Sequence, residues 1–473
     1  MNRELADLKR TSFSNRKRQR VEDSRPGSTA KTQSSRRGSP PVFVMNPYYT
    51  GIGIARSLQG RGVPVFALTS EPGVPGARSR YFTGVYVVPN GRDEPEELYR
   101  RLLEIAAEHS HGQRPVIFPT RDFDVVFLHD YREGLGQHYL LPQPGDSAIM
   151  RMMDKFELAV VAGQLGIATP STVRCDSVVD IEQQLPELRF PQIVKPRFAY
   201  QWRRSGLWEK VGGQKAIIVE TAEELRSLYL RLANVTQEVL LQEYIRGDDN
   251  DIVVCCCYID EDGESIGHFT ARKLRQNPPL IGTGSVVEAT EVAPVIAPSV
   301  ELLRAFAYSG LAEVEYKYDK VTGTYFLIEI NPRHWDQHEL GNLVGVNLTW
   351  LAYANMVGLR PSRVAPSYGA GRRHKWIAES ELVQGIARNL WLELASLSGL
   401  ERRFRRRFDV LARTYADVRN LLEGRKIFAM SRLRDPLPGI LIYFDLLREA
   451  FRILGVRLMR KPRTKEAGGE STR

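Results

Sequence analysis

Cysteine is scarce in this 473-residue chain: four occur, and three of them, Cys255, Cys256 and Cys257, are consecutive. Adjacent positions on a strand face opposite sides, so this run cannot make a disulfide framework or a zinc knuckle. A reducing cytoplasm fits that usage, and the three thiols read as core packing of an apolar strand. No uninterrupted apolar stretch is long enough to cross a bilayer. Met1 to Pro41 holds no apolar core of a secretory signal, so none is expected. No internal repeat is evident. Thr50-Gly51-Ile52-Gly53 lacks the third glycine of a dinucleotide-binding fingerprint, which argues against NAD.

Charge of one sign is short only in places. The formal net charge is +10, but residues 1–40 hold 11 Lys/Arg against 4 Asp/Glu, and residues 401–473 hold 19 against 9. The stretch between them, with 36 against 43, is mildly acidic. The high isoelectric point therefore speaks to what the two ends touch and says little about the central fold. No nucleic-acid partner is expected.

At this length two to four domains are expected. Residues 1–40 are rich in Arg, Ser and Thr with few large apolar side chains, the composition of a disordered basic tail. From Pro41, strand-like "PVFVMN", "VPVFALTS", "YFTGVYVVP" and "PVIFPT" alternate with "GIGIARSLQGRG" and "PEELYRRLLEIAAEHS". That order predicts a small parallel α/β lobe over 41–140. A helix around Met152 to Gly166 follows. Over 141–366, strands dominate: "FPQIVKPRF", "KAIIVE", "VLLQEYIRG", "DIVVCCCYID", "SIGHFTARKLRQ", "AEVEYKYD" and "TYFLIEINPR". Asp262-Gly263 and Thr322-Gly323 supply tight-turn signals. Residues 367–460 are predicted to be a helical C-terminal region, and 461–473 a disordered end.

The sharpest chemical signal is "EVEYKYDKVTGTYFLIEINPR". Glu329 and Asn331 are two apart, so on a strand both side chains share a face, and Glu315 on the partner strand of the hairpin can join them. Two carboxylates and an amide oxygen form a hard-oxygen site suited to Mg²⁺, with Mn²⁺ as a substitute, held together with nucleotide phosphates. Arg333 falls on the same face if the strand continues through Pro332, and its fixed fork suits a carboxylate or a developing acyl phosphate. A solvated hairpin is the plainer alternative, but Glu329 and Asn331 interrupt an apolar strand. A second signal is Lys195 and Lys215, flanking a Gly-rich, Trp-bearing stretch from Trp202 to Gly213. Such a hairpin can fold over a triphosphate; strand-end lysines reaching solvent would give the same letters. "LLQEYIRG" is a strand followed by a turn, able to offer backbone groups to an adenine edge.

Taken in order, "DK…GIATP", "VKP", the glycine loop with "KA", "QEYIRG", "RKLRQ", "EVEYK" and "IEINPR" resemble the ATP-grasp superfamily over about residues 42–360. The likeness is to its carboxylate–amine ligases, relatives of D-alanine–D-alanine ligase, the D-aspartate ligases and biotin carboxylase. It implies an α/β and α+β architecture: an ATP-grasp fold with an N-terminal parallel α/β lobe and a helical C-terminal tail. It also implies roles. Lys195 and Lys215 would hold ATP phosphates, and Gln242, Glu243, Tyr244 and Ile245 would form the adenine hinge. Glu315, Glu329 and Asn331 would ligate Mg²⁺, and Arg333 would lie near the transferred phosphoryl group. Lys273 and Arg275 would face the acyl phosphate. Asp154–Lys155 would mark the start of the central lobe, structurally more than catalytically. The implied partners are a small carboxylate and a small amine, in the cytoplasm.

Other signals carry less. His334 and His338 are four apart but follow a strand, so zinc is not expected there; His334, Trp335 and Gln337 are read as substrate-pocket wall. "RRFRRR" at 402–407 reads as a solvated helix face, with a phosphate-rich partner as the sharper alternative. "LPGILIYFDLLREAFRILGVRLM" carries Asp445, Arg448, Glu449 and Arg452, too many charges for a span. With Leu446, Leu447, Ala450, Phe451 and Leu454 it reads as an amphipathic helix, docked on the catalytic lobes or lying peripherally on the inner face of a membrane. Two other functions compete with ligation: a nucleotide-holding scaffold docked by its basic ends, and another ATP-grasp reaction, carboxylation through carboxyphosphate. A scaffold has no need of the metal set, and no biotin attachment segment is present.

Overall fold

The computed structural model describes residues 38–453 apart from 111, 143–147, 204–206, 234–235, 237, 370, 387–414, 416–418 and 421. The predicted tails at 1–37 and 461–473 and the arginine run at 402–407 therefore lie outside the described residues.

Three sheets organise the described residues. The first holds β1 (Val42–Met45), β2 (Val65–Thr69), β3 (Gly84–Val87) and β4 (Val116–Phe118) in the order β3-β2-β1-β4. All its pairings are parallel, as the alternation of strands and helices predicted. The near-continuous apolar runs of β1 and β4 are fully buried because helices cover such a sheet on both faces. The second sheet holds β5 (Thr172–Cys175), β6 (Gln192–Lys195), β7 (Ile217–Val219) and β8 (Val239–Glu243), antiparallel in the order β5-β8-β6-β7.

The third and largest sheet comprises β9 (Ile252–Ile259), β10 (Ser265–Asn277), β11 (Thr283–Ala289), β12 (Gly310–Asp319), β13 (Thr324–Asn331), β14 (His374–Ile377) and β15 (Arg425–Phe428). Its order is β13-β12-β9-β10-β11-β14-β15. Both turn signals hold: Gly263 and Gly323 sit at φ +77° and +71°, conformations that a β-carbon disfavours. The cysteine run lies on β9 with its thiols fully buried on alternate sides. Cys256 packs into the core shared with the N-terminal lobe, and Cys255 and Cys257 into the core on the other side.

Two expectations need correction. The single helix around Met152–Gly166 is two, Ala148–Met153 and Lys155–Gln164, broken at Asp154. The Asp154 carboxylate accepts from the N–H groups of Phe156 (3.0 Å) and Glu157 (3.3 Å), satisfying donors that a continuous helix would not leave free. The region after 366 is not purely helical, because β14 and β15 extend the large sheet, paired parallel to each other. Each is four residues long, two polar residues followed by two apolar ones, a pattern without period-2 alternation. The helix Pro436–Ile453 follows them and packs on the N-terminal lobe.

Candidate active site

β12 and β13 pair so that Glu315 lies directly opposite Glu329 and Glu313 directly opposite Asn331. Like charges facing each other across an antiparallel ladder repel, so this register needs cations. Lysines supply them. Lys273 on β10 forms a buried ion pair with Glu315, and Lys155, first residue of its helix, reaches Glu329 at 3.0 Å. Burial alone would raise the Glu329 carboxyl, but Lys155, Lys215 and Lys273 outweigh it and hold the group well below the usual carboxylate range. Burial would lower Lys273, and Glu315 with Glu313 raises it instead. The two carboxylates and the Asn331 amide thus converge on one wall of a cleft of about 380 Å³. That donor set fits a hard divalent cation such as Mg²⁺.

The opposite wall comes from the second sheet. Lys195 ends β6 buried at 4% exposure and donates to the Gln242 side chain at 2.7 Å. Burial, with help from Lys155, pushes Lys195 down to about 7. Gln242 in turn donates to Thr172 Oγ1 at 2.8 Å, so the lysine is aimed by a fixed relay. Lys215 lies just ahead of β7 and reaches Thr283 Oγ1 at 2.7 Å, spanning from the small sheet to β11. Gln242, Glu243, Tyr244 and Ile245 all line the cleft where β8 ends. The Glu243 N–H is committed to the Ser171 carbonyl (2.8 Å), so this group is not open to a ligand.

The N-terminal lobe closes the third side. Asp122, at the start of the helix Asp122–Asp130, binds Arg333 with a 2.7 Å hydrogen bond to Nε. Arg333 also donates to Asn331 Oδ1 at 3.2 Å and to the His334 carbonyl at 3.0 Å. Burial would lower the guanidinium, but Asp122 keeps it firmly charged.

Of the twelve residues singled out from sequence, eleven line this one cleft: Lys195, Lys215, Gln242, Glu243, Tyr244, Ile245, Lys273, Glu315, Glu329, Asn331 and Arg333. Arg275 does not. Strict alternation puts it on the Lys273 face, but β10 shifts register against β11 between Lys273 and Arg275 and again before Gln276. This β-bulge turns Gln276 to the cleft in its place. Trp335 and Gln337 line the cleft as expected of a pocket wall, whereas His334 is buried behind it, edge-on to Phe118 and bonded to Thr349 Oγ1 at 3.1 Å.

Three further positions of the cleft were not legible in the sequence. Lys155 reads there as a structural marker; Asp154 is one, but Lys155 is a cleft cation. Asp122 comes from 211 residues away and carries no local motif. Glu313 is the third. It accepts from Asn331 Nδ2 at 3.0 Å and from Gln337 Nε2, so both its oxygens receive amide N–H groups. Its even spacing from Glu315 was the only available signal. This pairing fixes which way the Asn331 amide points, leaving Oδ1 for the cleft and Arg333. Glu313→Gln would set an NH₂ against one of those donors and favour flipping Asn331. The expected result is a loss of roughly 10–100-fold in Mn²⁺ affinity, read directly by paramagnetic titration, with little change in melting temperature.

No protein-family model matches the chain. It is 27% identical over 362 residues to a D-aspartate ligase of Enterococcus faecium (strain Aus0004), a match covering 74% of this chain and 82% of that one. In sequence and in fold the chain resembles ATP-grasp enzymes of the carboxylate–amine ligase type. Solved structures agree on the fold. The biotin carboxylase domain of the Hydrogenobacter thermophilus 2-oxoglutarate carboxylase, solved with MgADP and bicarbonate, superposes with TM-score 0.55 at 18% identity, covering 70% of this chain and 72% of that one. An L-amino acid ligase from Bacillus licheniformis superposes with TM-score 0.52 at 15% identity, covering 68% and 75%. The wall that bears Lys195 and Lys215 and the wall that bears the carboxylates come from different sheets. The cleft is therefore a product of lobe packing rather than of any one motif.

Proposed function

We propose that the chain joins a small carboxylate to an amine at the expense of ATP, through an acyl phosphate, releasing ADP and phosphate. The observation that carries this reading is the Glu315–Glu329–Asn331 wall sharing one cleft with Arg333 and five lysines. Lys195 and Lys215 would bind the ATP phosphates, with Gln242 to Ile245 at the adenine. Glu315, Glu329 and Asn331 would hold Mg²⁺, which supplies charge neutralisation of the phosphates. A carboxylate oxygen attacks the γ-phosphorus and ADP leaves; the amine nitrogen then attacks the acyl carbon, phosphate leaves, and the nitrogen loses a proton. Arg333 and Lys273 would steady the charge of the phosphoryl group, so the protein acts by positioning and electrostatics. Given the D-aspartate ligase relative, the proposed carboxylate is an amino acid of that kind. The proposed setting is cytoplasmic, where ATP and Mg²⁺ are held.

Hydroxylamine can stand in for the amine. Incubation with ATP, Mg²⁺ and single amino acids, D-aspartate first, should yield a hydroxamate together with ADP and phosphate. AMP and pyrophosphate would overturn the acyl-phosphate route, and ATP cleavage driven by bicarbonate alone would favour carboxylation instead.

Lys195 gives the pH dependence. Burial pushes its amine down to about 7, because charging it there is costly, and a bound phosphate would restore the charged form. Nucleotide affinity is then full below pH 7 and falls as pH rises through that value toward the bound-state pKa. Calorimetry of ADP binding at pH 7.5 in two buffers of different ionisation enthalpy should show about 0.5 proton or more taken up. No proton uptake would remove Lys195 from phosphate binding.

A further inference from the structure

The helix Pro436–Ile453 is anchored firmly along one side. Arg56 donates to Asp435 Oδ2 at 3.2 Å and to the Met430 carbonyl at 2.9 Å, and Ser79 donates to Asp435 Oδ2 at 2.7 Å. Ile442 is buried beneath the helix, and Pro438 and Gly439 are buried with it. The apolar positions read from sequence as one face therefore divide, with Leu446 turned partly inward and Leu447 and Phe451 outward. Ala450 and Leu454 carry no described side chain.

Outward, Leu437, Ile440, Phe444, Leu447 and Phe451 recur at spacings of three and four, with Tyr443 beside them, and all six are between 42% and 59% exposed. That spacing makes one continuous apolar stripe along a helix of 18 residues. Large apolar side chains rarely gather on a free surface in this way. Leu433 precedes the helix, fully exposed between Arg432 and Arg434. Arg448 flanks the stripe with its side chain 85% exposed. The sequence that continues from the helix, 454–473, holds six Lys/Arg against two Asp/Glu. Among the described residues no helix is long and apolar enough to cross a membrane.

We infer that this stripe and its basic border form a docking surface for an anionic lipid bilayer, on which the helix lies in the plane of the headgroups. An apolar face bordered by arginines is complementary to acyl chains beneath a layer of phosphates. A second copy of the chain would set the same arginines against each other, which disfavours self-association through this face. The helix also touches the enzyme's chemistry at its inner side. A groove walled by Ile442, Asp445 and Leu446 shares Tyr48 with the catalytic cleft. A docked enzyme would thus keep one rim of its cleft beside the docked helix.

Co-sedimentation of the full chain tests this with vesicles of phosphatidylcholine alone and of equimolar phosphatidylglycerol and phosphatidylcholine. The chain should pellet with the anionic vesicles only, and added salt should release it. Phe444→Glu with Leu447→Glu should reduce binding about tenfold or more, and Arg434→Glu with Arg448→Glu should weaken it at low salt. Both double variants should keep wild-type melting temperature and ADP affinity, since these side chains touch neither the core nor the cleft. Wild-type chain remaining in the supernatant with both vesicles would overturn the proposal. So would equal binding by the Phe444/Leu447 variant, or a dimer in light scattering that this variant dissociates while vesicles do not.

Discussion

Glu329→Gln should leave a folded protein that binds ADP and has lost turnover by about 10²–10³-fold. The substitution preserves shape on β13 and removes one of the two charges that face each other across the ladder. Its consequence is unusual in direction for a buried-pair mutation. Glu329 is held far into its ionised form by Lys155, Lys215 and Lys273, so it neutralises lysines in addition to its proposed role as a metal ligand. Removing the charge leaves Lys155 without its 3.0 Å partner, which costs stability, but it also relieves the repulsion from Glu315 directly opposite. The two effects oppose each other, and melting temperature should move only a few degrees while activity collapses. Single-turnover measurements of ATP cleavage together with a thermal melt separate them. Unchanged turnover would exclude Glu329 from the mechanism.

Arg333→Lys is the second substitution of large expected effect, although it conserves charge. Arg333 uses three separate nitrogens at once, toward Asp122, Asn331 and the His334 carbonyl. A lysine ammonium is a single point and cannot reproduce that fork. Asp122 would be left buried beside a poorly placed cation, and the tie between the N-terminal lobe and β13 would slacken. We expect kcat to fall about 10²-fold, with nucleotide affinity nearly unchanged because Arg333 lies away from the lysines of the small sheet. Partial rescue by added guanidinium would support a positioning and charge role. A Lys variant with full kcat would show that the fork is dispensable.

These expectations depend on residues of unequal legibility. β12 and β13 carry their chemistry within 21 consecutive residues, and period-2 alternation with a turn glycine was enough to bring Glu315, Glu329 and Asn331 together. Lys195 and Gln242 belong to strands with their own apolar patterns. Arg275 shows how a local rule fails: alternation is valid only while the ladder stays in register, and a bulge in β10 depends on how β11 pairs with it. β14 and β15 were hidden for a related reason. A four-residue strand has too few positions to show a period, and what makes it a strand is the sheet edge waiting for it.

What the sequence determined by itself was the order of elements, the parallel lobe, the metal-suited hairpin and the lysines around the glycine loop, since each follows from periodicity or turn chemistry over a short span. Tertiary structure alone decided which distant groups complete the site. Asp122 on Arg333, Lys155 on Glu329 and Gln337 on Glu313 are pairings made by tertiary packing, across separations of 211, 174 and 24 residues. It also decided the fate of the C-terminal helix, because an amphipathic pattern states that one face is apolar but not whether protein will cover it. Here Asp435 and Ile442 are bound into the enzyme while the outward stripe is left to solvent. Burial is a property of the packed whole, and hydrophobic periodicity encodes only the capacity for it.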